Sequence, residues 1–592
     1  MQTQTARCMD CGTPTCHSPN QGGGGCPLGN RIPTWNQLVH EGEWKRALER
    51  LLDTNNFPEF TGTTCPAPCE EACVLGINED PVAIKTTELA IIDYGFNKGW
   101  VKPHPPQVRT KKRISIVGSG PSGLAAAQQL NRAGHHVTIL ERADRGGGLL
   151  MYGIPSMKLA KNEKVERRLQ LLKDEGIDIK YNTEVGRDVT IADLCAQNDA
   201  VVMATGATQW RDMRNTEGRN LKNIMQAMDF LSATQKAVMD IESGLRPSTG
   251  SPPNMANGKA PAPEDLFGCA NARVVVIGGG DTAADCVATA VRLGAKSVLQ
   301  FSRRGEAPKE RPKHTPWPCW ADTFRVDYAH AEGKSMHGRD PREYFVATKS
   351  FRPSSADPSR VGCVVVANLS SSGGDHGIVE YPAELVILAM GFTGPDNTAD
   401  PQNMLTRDQN SNFKAAYGEY AIEGAPWKNL FACGDCRRGA SLVVTAIAEG
   451  RDCANRVDAF LMGDSSLPRA APLAANPAFF KLPARGDNQT TMRRGGARRR
   501  RTINLEVSDA FERGLIVEPV AEGEPEAEAE VGSNAAGAYA KATETSAVPA
   551  GSGMVASSSG QAVPTWLAAS LGGLIVVNAA LVVALVRTSR RS

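Results

Sequence analysis

The sequence predicts an α/β protein in which two strand–glycine-loop–helix units follow an all-α, cysteine-rich N-terminal region. An apolar strand within RTKKRISIVGSG (109–120) ends in a glycine loop, and a second within NARVVVIGGG (271–280) does the same. This pattern is typical of doubly wound α/β folds. Seven of the 15 cysteines lie in the first 73 residues. Apolar residues at helical spacing over 35–56 predict helix in that region.

The composition bounds the class of protein. At 592 residues, with 41% apolar and 22% charged residues, the chain should form several globular domains. A net charge of +2 gives no reason to expect a nucleic-acid partner. The short cysteine spacings favour metal ligation in a reducing compartment over a disulfide scaffold.

The first glycine loop has the pattern of a dinucleotide site. Gly118 allows a tight turn, Gly120 lets the backbone approach a pyrophosphate, and Gly123 lets the helix pack on the strand. Glu141 ends the next strand, where an acid can bond ribose hydroxyls. A glycine motif alone is often incidental, but here strand, helix and terminal acid occur in register.

The second glycine loop repeats this geometry. Its candidate contacts are Gly278, Gly280, Asp281 and Thr282. The following strand ends in Arg303 and Arg304 instead of an acid, which suits a 2′-phosphate and favours NADPH over NADH. The alternative, that these arginines only solvate a strand end, stays open.

Two further segments complete a flavoprotein pattern. They are AVVMATGAT (200–208) and NLFACGDCRRGASLVVTAIAEGR (429–451), with candidate FAD contacts at Thr205, Gly206, Gly434 and Asp435. Cys433 and Cys436 form a CxxC pair that invites a redox-active dithiol. A flavin contact explains the enclosed Gly-Asp better.

The N-terminal cysteines predict iron–sulfur ligation. They are Cys8, Cys11, Cys16, Cys26, Cys65, Cys69 and Cys73. A CxxC with a third cysteine close behind and a Cys-Pro beyond resembles 4Fe–4S binding. Structural zinc is the alternative, but seven cysteines do not divide into zinc tetrads.

The C-terminal part differs from the rest. Residues 471–565 contain blocks of like charge and a Ser/Gly/Ala stretch, which predict a disordered tether. Residues 566–586 carry no charge and are followed by arginines, which predicts one transmembrane helix. A buried core helix is the alternative. We expect membrane anchoring, with the catalytic domains in a reducing compartment such as the cytosol or an organelle stroma or matrix.

Long motifs resemble the glutamate synthase small subunit and the C-terminal part of fused eukaryotic glutamate synthases. Among them are CMDCGTPTC, CPLGNRIPTWN, CPAPCEEACVLGINEDPVAIK, GGGLLMYGIPSMKL, MATGAT and GDCRRGASLVV. The resemblance implies that NAD(P)H reduces FAD, and that electrons pass through two 4Fe–4S clusters to an FMN-containing large subunit that makes glutamate from glutamine and 2-oxoglutarate. It also implies Gly148 as a cofactor contact and no catalytic nucleophile or base in this chain.

The related dihydropyrimidine dehydrogenase implies interleaved cluster ligands. By that resemblance one cluster takes Cys8, Cys11, Cys16 and Cys73. The other takes Cys26, Cys65, Cys69 and a non-cysteine ligand that matches Glu88. The loop SPNQGGGG between Cys16 and Cys26 is longer than the family usually has.

The predicted order is an iron–sulfur domain, an FAD domain interrupted by an NAD(P)H domain, a tether and an anchor. The predicted bounds are 1–107, 108–225 and 385–470 (FAD), 226–384 (NAD(P)H), 471–565 and 566–586. Two rival functions remain: a free-standing membrane-anchored diaphorase that reduces ferredoxin, quinone or another acceptor, and a membrane-tethered scaffold with inactive sites. The intact glycines, acids and cysteines weigh against the scaffold.

Overall fold

The computed structural model describes residues 1–20, 22–243, 267–369 and 375–469. The predicted tether (471–565) and transmembrane helix (566–586) lie outside these residues, as does the Pro/Gly-rich stretch 244–265. Within the described residues no helix is long and apolar enough to cross a membrane.

The N-terminal region is built from short helices. They are α1 (Gln2–Thr5), α2 (Ile32–His40), α3 (Trp44–Thr54), α4 (Pro58–Thr64), α5 (Pro68–Glu71), a 3₁₀ helix (Val74–Ile77) and α6 (Ile84–Asn97). The helix predicted over 35–56 is therefore two helices. Gly42, at φ +80°, makes the turn between them, a conformation that glycine adopts without steric cost. Trp35 and Leu51 are fully buried, as their helical spacing predicts.

The rest of the described chain alternates strands and helices. The strands are β1 (Arg113–Val117), β2 (His136–Leu140), β3 (Asp178–Lys180), β4 (Ala200–Met203), β5 (Gln209–Trp210), β6 (Ile224–Gln226), β7 (Arg273–Ile277), β8 (Ser297–Phe301), β9 (Arg342–Glu343), β10 (Val346–Pro353), β11 (Val361–Leu369), β12 (Asp375–Pro382), β13 (Leu385–Leu388), β14 (Phe392–Gly394) and β15 (Leu430–Ala432). The helices are α7 (Pro121–Arg132), α8 (Leu149–Tyr152), a π-helix (Lys161–Glu166), α9 (Arg167–Asp174), α10 (Ile191–Gln197), α11 (Ala227–Glu242), α12 (Asp281–Arg292), α13 (Tyr328–His337), α14 (Asp435–Arg438) and α15 (Val443–Met462).

Two parallel five-stranded sheets organise this part of the chain. The first has the order β15-β4-β1-β2-β3, and the second β6-β13-β7-β8-β9. Each places the strand before a glycine loop, β1 or β7, at its centre. Beside them, β10, β11 and β12 form an antiparallel sheet and β5 pairs with β14. The α/β class with a helical N-terminal region is as predicted.

The junction between the two nucleotide domains differs from the predicted one. β13 pairs in register with β7 and with β6, so the second sheet includes strands on both sides of the predicted 226–384 segment. The chain returns to the first sheet only after Leu388. An all-apolar LVIL strand suits the centre of either sheet, so its sequence does not show which sheet it joins.

Residues 430–462, from β15 to α15, pack tightly onto the first domain, and we call them the C-terminal return. α15 lies along α7, and a Cβ atom at Gly450 would stand 2.2 Å from the Ser122 carbonyl oxygen. No larger residue fits this approach without a shift. This contact positions the segment that follows β15 beside the first glycine loop.

Candidate functional site

The three glycines of the first loop have different surroundings. Gly118 has φ +105°, and a Cβ there would lie 2.6 Å from the Ala204 carbonyl oxygen. At Gly123 it would lie 2.1 Å from the Gly118 oxygen. Around Gly120 nothing stands within 4 Å of that position. The loop is thus closed against the protein at its two ends and open at its middle, where a pyrophosphate would approach.

Glu141 is buried at the end of β2 with both carboxylate oxygens engaged. Its Oε2 accepts the Ser119 N–H at 3.0 Å and the Ser119 hydroxyl, and its Oε1 accepts the Ala143 N–H at 2.9 Å. Ser119 Oγ in turn accepts the Gly147 N–H at 2.9 Å. The carboxylate therefore fixes the glycine loop. Sequence reasoning did not single out Ser119, whose place between two loop glycines was the available indication.

Gly434 brings the C-terminal return against the same loop. Its φ is +73°, and a Cβ would lie 2.4 Å from Ser122 Oγ. Its N–H donates to Oε2 of the fully buried Glu449 at 2.9 Å. Glu449 also receives hydrogen bonds from the guanidinium groups of Arg437 and Arg438. Glu449 was missed at the sequence level because no motif distinguishes it from other helical glutamates.

Asp435 follows Gly434 and is largely buried. Burial raises the pKa of its carboxyl to about 6, although the hydrogen bond from Ser441 Oγ, 2.6 Å from Oδ1, opposes the shift. Cys433 and Cys436 on either side are both fully buried. The Cys436 thiol donates to the Met203 carbonyl oxygen at 3.2 Å, so it is directed into the sheet.

The remaining predicted flavin contacts lie around this loop. A Cβ at Gly148 would stand 3.0 Å from Gly120 Cα, whereas Gly206, at φ +74°, has open space. Thr205 and Gly206 directly follow Ala204, whose carbonyl oxygen closes Gly118. The carboxyl edge of the first sheet therefore gathers residues from four separate segments of chain: Gly118, Gly120, Gly123, Glu141, Gly148, Thr205, Gly206, Gly434 and Asp435.

The second glycine loop has the same backbone geometry as the first, but different side chains surround it. Gly278 has φ +149°, and a Cβ there would lie 2.1 Å from the Ala389 oxygen, while Gly280 faces open space. Asp281 and Thr282 begin α12. Arg303 and Arg304 follow β8 and are exposed. Within the described residues neither arginine forms an ion pair, so both side chains are available to an anion.

An ion pair joins the two nucleotide domains beside these loops. Lys158 Nζ lies 3.1 Å from Oδ1 of Asp285 on α12. The same oxygen accepts the Tyr328 hydroxyl at 2.7 Å. Burial raises the pKa of Asp285 even though Lys158 opposes the shift. This contact, also missed from the sequence, fixes the GGGLLMYGIPSMKL segment against the second domain.

The first group of cysteines surrounds a common pocket. Cys8, Cys11, Cys16 and Cys73 line it together with apolar residues that include Ile32, Pro33, Val74 and Ile84. Burial raises the pKa of the Cys16 thiol, and the neighbouring Cys73, Cys8 and Cys11 add to the rise. Four thiolates around an apolar pocket are the donor set of a 4Fe–4S cluster, so these residues fit that group.

The second group is more deeply buried. Cys26, Cys65 and Cys69 lie close enough to Glu88 for its charge to raise the pKa of each thiol, after the larger effect of burial. Burial raises the pKa of Glu88 to about 7. Its Oε1 accepts Asn55 Nδ2 at 2.6 Å and the Thr61 hydroxyl. Three thiols and a carboxyl group in an enclosed space fit the implied ligand set.

The structure thus separates the seven cysteines into the two interleaved groups that the resemblance implies. Among the described residues, no three His, Cys, Asp or Glu side chains converge as closely as one metal ion requires. A 4Fe–4S core is larger than one ion and stands between its ligands.

Two family models match the chain. Residues 1–100 match the model described as dihydropyrimidine dehydrogenase domain II, 4Fe-4S cluster. Residues 112–311 match pyridine nucleotide-disulphide oxidoreductase. The first range contains both cysteine groups and Glu88, and the second contains both glycine loops.

Curated relatives match over most of the described chain. The NADPH glutamate synthase small chain of Bacillus subtilis is 46% identical over 478 residues, 78% of this chain and 92% of that protein. The Mycobacterium tuberculosis small chain is 45% identical over 483 residues, 81% and 92%. The NADH glutamate synthase of Saccharomyces cerevisiae is 47% identical over 477 residues, but the match spans only 21% of its length. The chain therefore belongs to the glutamate synthase small-chain family of NAD(P)H-dependent oxidoreductases.

Proposed function

We propose that this chain is the electron-input subunit of a glutamate synthase. It would bind NAD(P)H and FAD in its two nucleotide domains and two 4Fe–4S clusters in its N-terminal region. A large FMN-containing partner chain would then make L-glutamate from glutamine and 2-oxoglutarate. The observation that supports this most is the combination, within one compact unit, of two differently built glycine loops and two separate cysteine groups.

The role of the chain's own residues is to bind the cofactors, orient them and shield them from water. When bound, the cofactors supply hydride and electron transfer. Glu141, Gly434 and Asp435 shape the first site, and the Lys158–Asp285 ion pair holds the second domain against it. The apolar lining around the first cysteine group limits access of water, which affects the reduction potential of a cluster.

We propose that NADPH is the preferred nucleotide. Arg303 and Arg304 stand at the end of β8, exposed and without ion-pair partners in the described part of the chain. A guanidinium group binds a phosphate through paired hydrogen bonds. The names of the relatives include both NADH and NADPH enzymes, so the choice of nucleotide requires its own measurement.

We propose Glu88 as the non-cysteine ligand of the second cluster, which Cys26, Cys65 and Cys69 complete. The support is the burial of all four groups and their mutual proximity. Glu88→Ala should lose the signal of one cluster in electron paramagnetic resonance and retain the other. A variant with both signals unchanged contradicts the assignment. Glu49→Ala, at an exposed glutamate on α3 of the same domain, is the matched control.

The deciding experiment is steady-state oxidation of NADPH and NADH by the purified protein, with and without a large glutamate synthase chain, glutamine and 2-oxoglutarate. Glutamate formed only with the partner present supports the proposal. Rapid dye or quinone reduction with no glutamate under any pairing supports the free-standing diaphorase instead.

We also propose that residues 566–586 anchor the chain in a membrane, with the catalytic domains in a reducing compartment, the cytosol or an organelle stroma or matrix. The support is the sequence alone: an uncharged apolar run long enough to span a bilayer, followed by arginines. Expression of the full chain and of residues 1–565, followed by alkaline extraction of membranes, tests this. Equal solubility of both proteins would refute it.

A further inference from the structure

A segment of the second nucleotide domain crosses onto the cysteine-rich region. We name residues 306–327 the crossing segment. It follows Arg303 and Arg304 almost directly and ends at α13. Trp317 Nε1 donates to the backbone oxygen of Cys73 at 3.2 Å. Asn20 Nδ2 donates to the Pro318 oxygen at 2.8 Å. The crossing segment therefore contacts a ligand residue of the first cluster.

Two arginines of the crossing segment hold one buried glutamate. Glu71 is 7% exposed. Its Oε2 lies 3.0 Å from Arg311 Nη2 and its Oε1 lies 2.9 Å from Arg325 Nη2. Glu71 stands two residues after Cys69 and two before Cys73, which belong to different cysteine groups. Two guanidinium groups therefore share one carboxylate in the segment that bears Cys69 and Cys73.

The long glycine loop that precedes Cys26 is fitted to the same segment. A Cβ at Gly22 would lie 2.2 Å from Cys319 Sγ, and at Gly24 it would lie 2.0 Å from the Pro318 oxygen. The Trp320 N–H donates to the Gly22 oxygen at 2.8 Å. Glycines are needed here because the two backbones approach so closely. The loop and the crossing segment thus form one packed contact.

We propose that the crossing segment is a positioning element that raises the reduction potential of the cluster held by Cys8, Cys11, Cys16 and Cys73. A reduced cluster carries one more negative charge, so nearby positive charge and N–H donors favour reduction. The charges of Arg311 and Arg325 act in this direction, and the charge of Glu71 opposes them. The Trp317 N–H acts less directly, through its hydrogen bond to the Cys73 backbone oxygen. The inference rests on the cluster assignment within the proposed function and is independent of the partner chain.

The test is a redox titration of the full-length, iron-loaded protein, followed by electron paramagnetic resonance. The signal of the first cluster is identified by its loss in Cys8→Ser. Arg325→Gln should reduce the ratio of reduced to oxidised cluster about tenfold at a given potential, a shift of about −59 mV for one electron. Glu71→Gln should shift the potential in the opposite direction. A purely structural role predicts no such opposition of sign.

The matched control is Arg352→Gln, which removes the same charge from an exposed pair with Glu380 on the antiparallel sheet. It should leave the potential unchanged. Equal potentials in the wild type, Arg325→Gln and Glu71→Gln, or shifts of one sign in both variants, overturn the proposal.

Should Arg325→Gln fail to retain iron, Trp317→Phe and Glu71→Gln decide the matter. Trp317→Phe keeps an aromatic side chain but loses the indole N–H, which donates to the Cys73 backbone oxygen. It should therefore lower the potential, while Glu71→Gln raises it. Unchanged potentials in both refute the proposal. Because no partner or nitrogen substrate is present, this outcome is independent of the glutamate assay.

Discussion

The two glycine loops share a strand-to-helix backbone and differ in what surrounds them. At the first loop the acid at the strand end, Glu141, is buried with both oxygens engaged, and the C-terminal return closes over it through Gly434. At the second loop the strand ends in the exposed Arg303 and Arg304. The first is built for a ligand that stays enclosed and the second for one that exchanges with solvent, which suits a resident flavin and a nucleotide substrate.

The largest expected effect is at the closed end of the first loop. Gly123→Ala would place a Cβ 2.1 Å from the Gly118 carbonyl oxygen, which the helix–strand contact cannot accommodate without a backbone shift. We expect loss of bound flavin and a decrease of about 1–3 kcal/mol in the free energy of unfolding. Absorbance at flavin wavelengths and denaturant unfolding measure the two effects.

Gly120→Ala is the matched control on the same loop, because its Cβ would meet no protein atom within 4 Å. We expect stability of the flavin-free protein to stay within about 0.5 kcal/mol of the wild type, while flavin retention falls because the methyl group occupies the space of the pyrophosphate. Equal loss of stability in both variants would contradict the distinction between closed and open glycines.

The next effect concerns the exposed pair at the second loop. The double variant Arg303→Gln/Arg304→Gln removes two charged donors, each worth about 1.5–3 kcal/mol to a phosphate. We expect kcat/KM for NADPH to fall at least about a hundredfold, mainly through KM, and kcat/KM for NADH to change little. Steady-state oxidation of both nucleotides with a dye acceptor gives the comparison.

A matched control for that variant is Arg360→Gln, an exposed arginine paired with Asp357 away from the loop. This variant should leave kcat/KM unchanged for both NADPH and NADH. Parallel losses with NADPH and NADH in the double variant would mean that Arg303 and Arg304 do not read the 2′-phosphate.

The same comparison shows what sequence reasoning could reach. The glycines, Glu141 and the two arginines are predictable because local geometry dictates them: a tight turn needs positive φ, and the end of a strand fixes where the next side chain lies. Glu449 is not predictable, because it lies on α15 and meets Gly434 only through the packing of α15 on α7.

Contacts between residues far apart in the chain could not be predicted from the sequence for a related reason. The crossing segment has no periodicity, and its contacts with Glu71 and Cys73 join residues far apart in the chain. The membership of β13 depends on its pairing with β6 and β7. Cysteine spacing alone left zinc and iron–sulfur ligation open, whereas the folded chain separates the cysteines into two groups.

The smallest expected effect is a pH dependence of stability, which tests whether the first site is enclosed. Burial raises the pKa of Asp435 to about 6 from an ordinary value of 3.8. The native flavin-free protein therefore holds this proton more tightly than the unfolded chain does. Its free energy of unfolding should fall as pH rises from about 4 to about 6 and then level off, by an amount on the order of 2 kcal/mol.

Asp435→Asn carries no charge and should remove this fall, so its stability relative to the wild type should be greater at pH 7.5 than at pH 4.5. Packing differences between Asp and Asn cancel in that comparison because they act equally at both pH values. Denaturant unfolding of the flavin-free wild type and variant at both pH values measures this difference. A pH-independent difference for Asp435→Asn would mean that solvent reaches this carboxyl. The contrast between an enclosed first site and an open second one would then rest on Glu141 and Gly434.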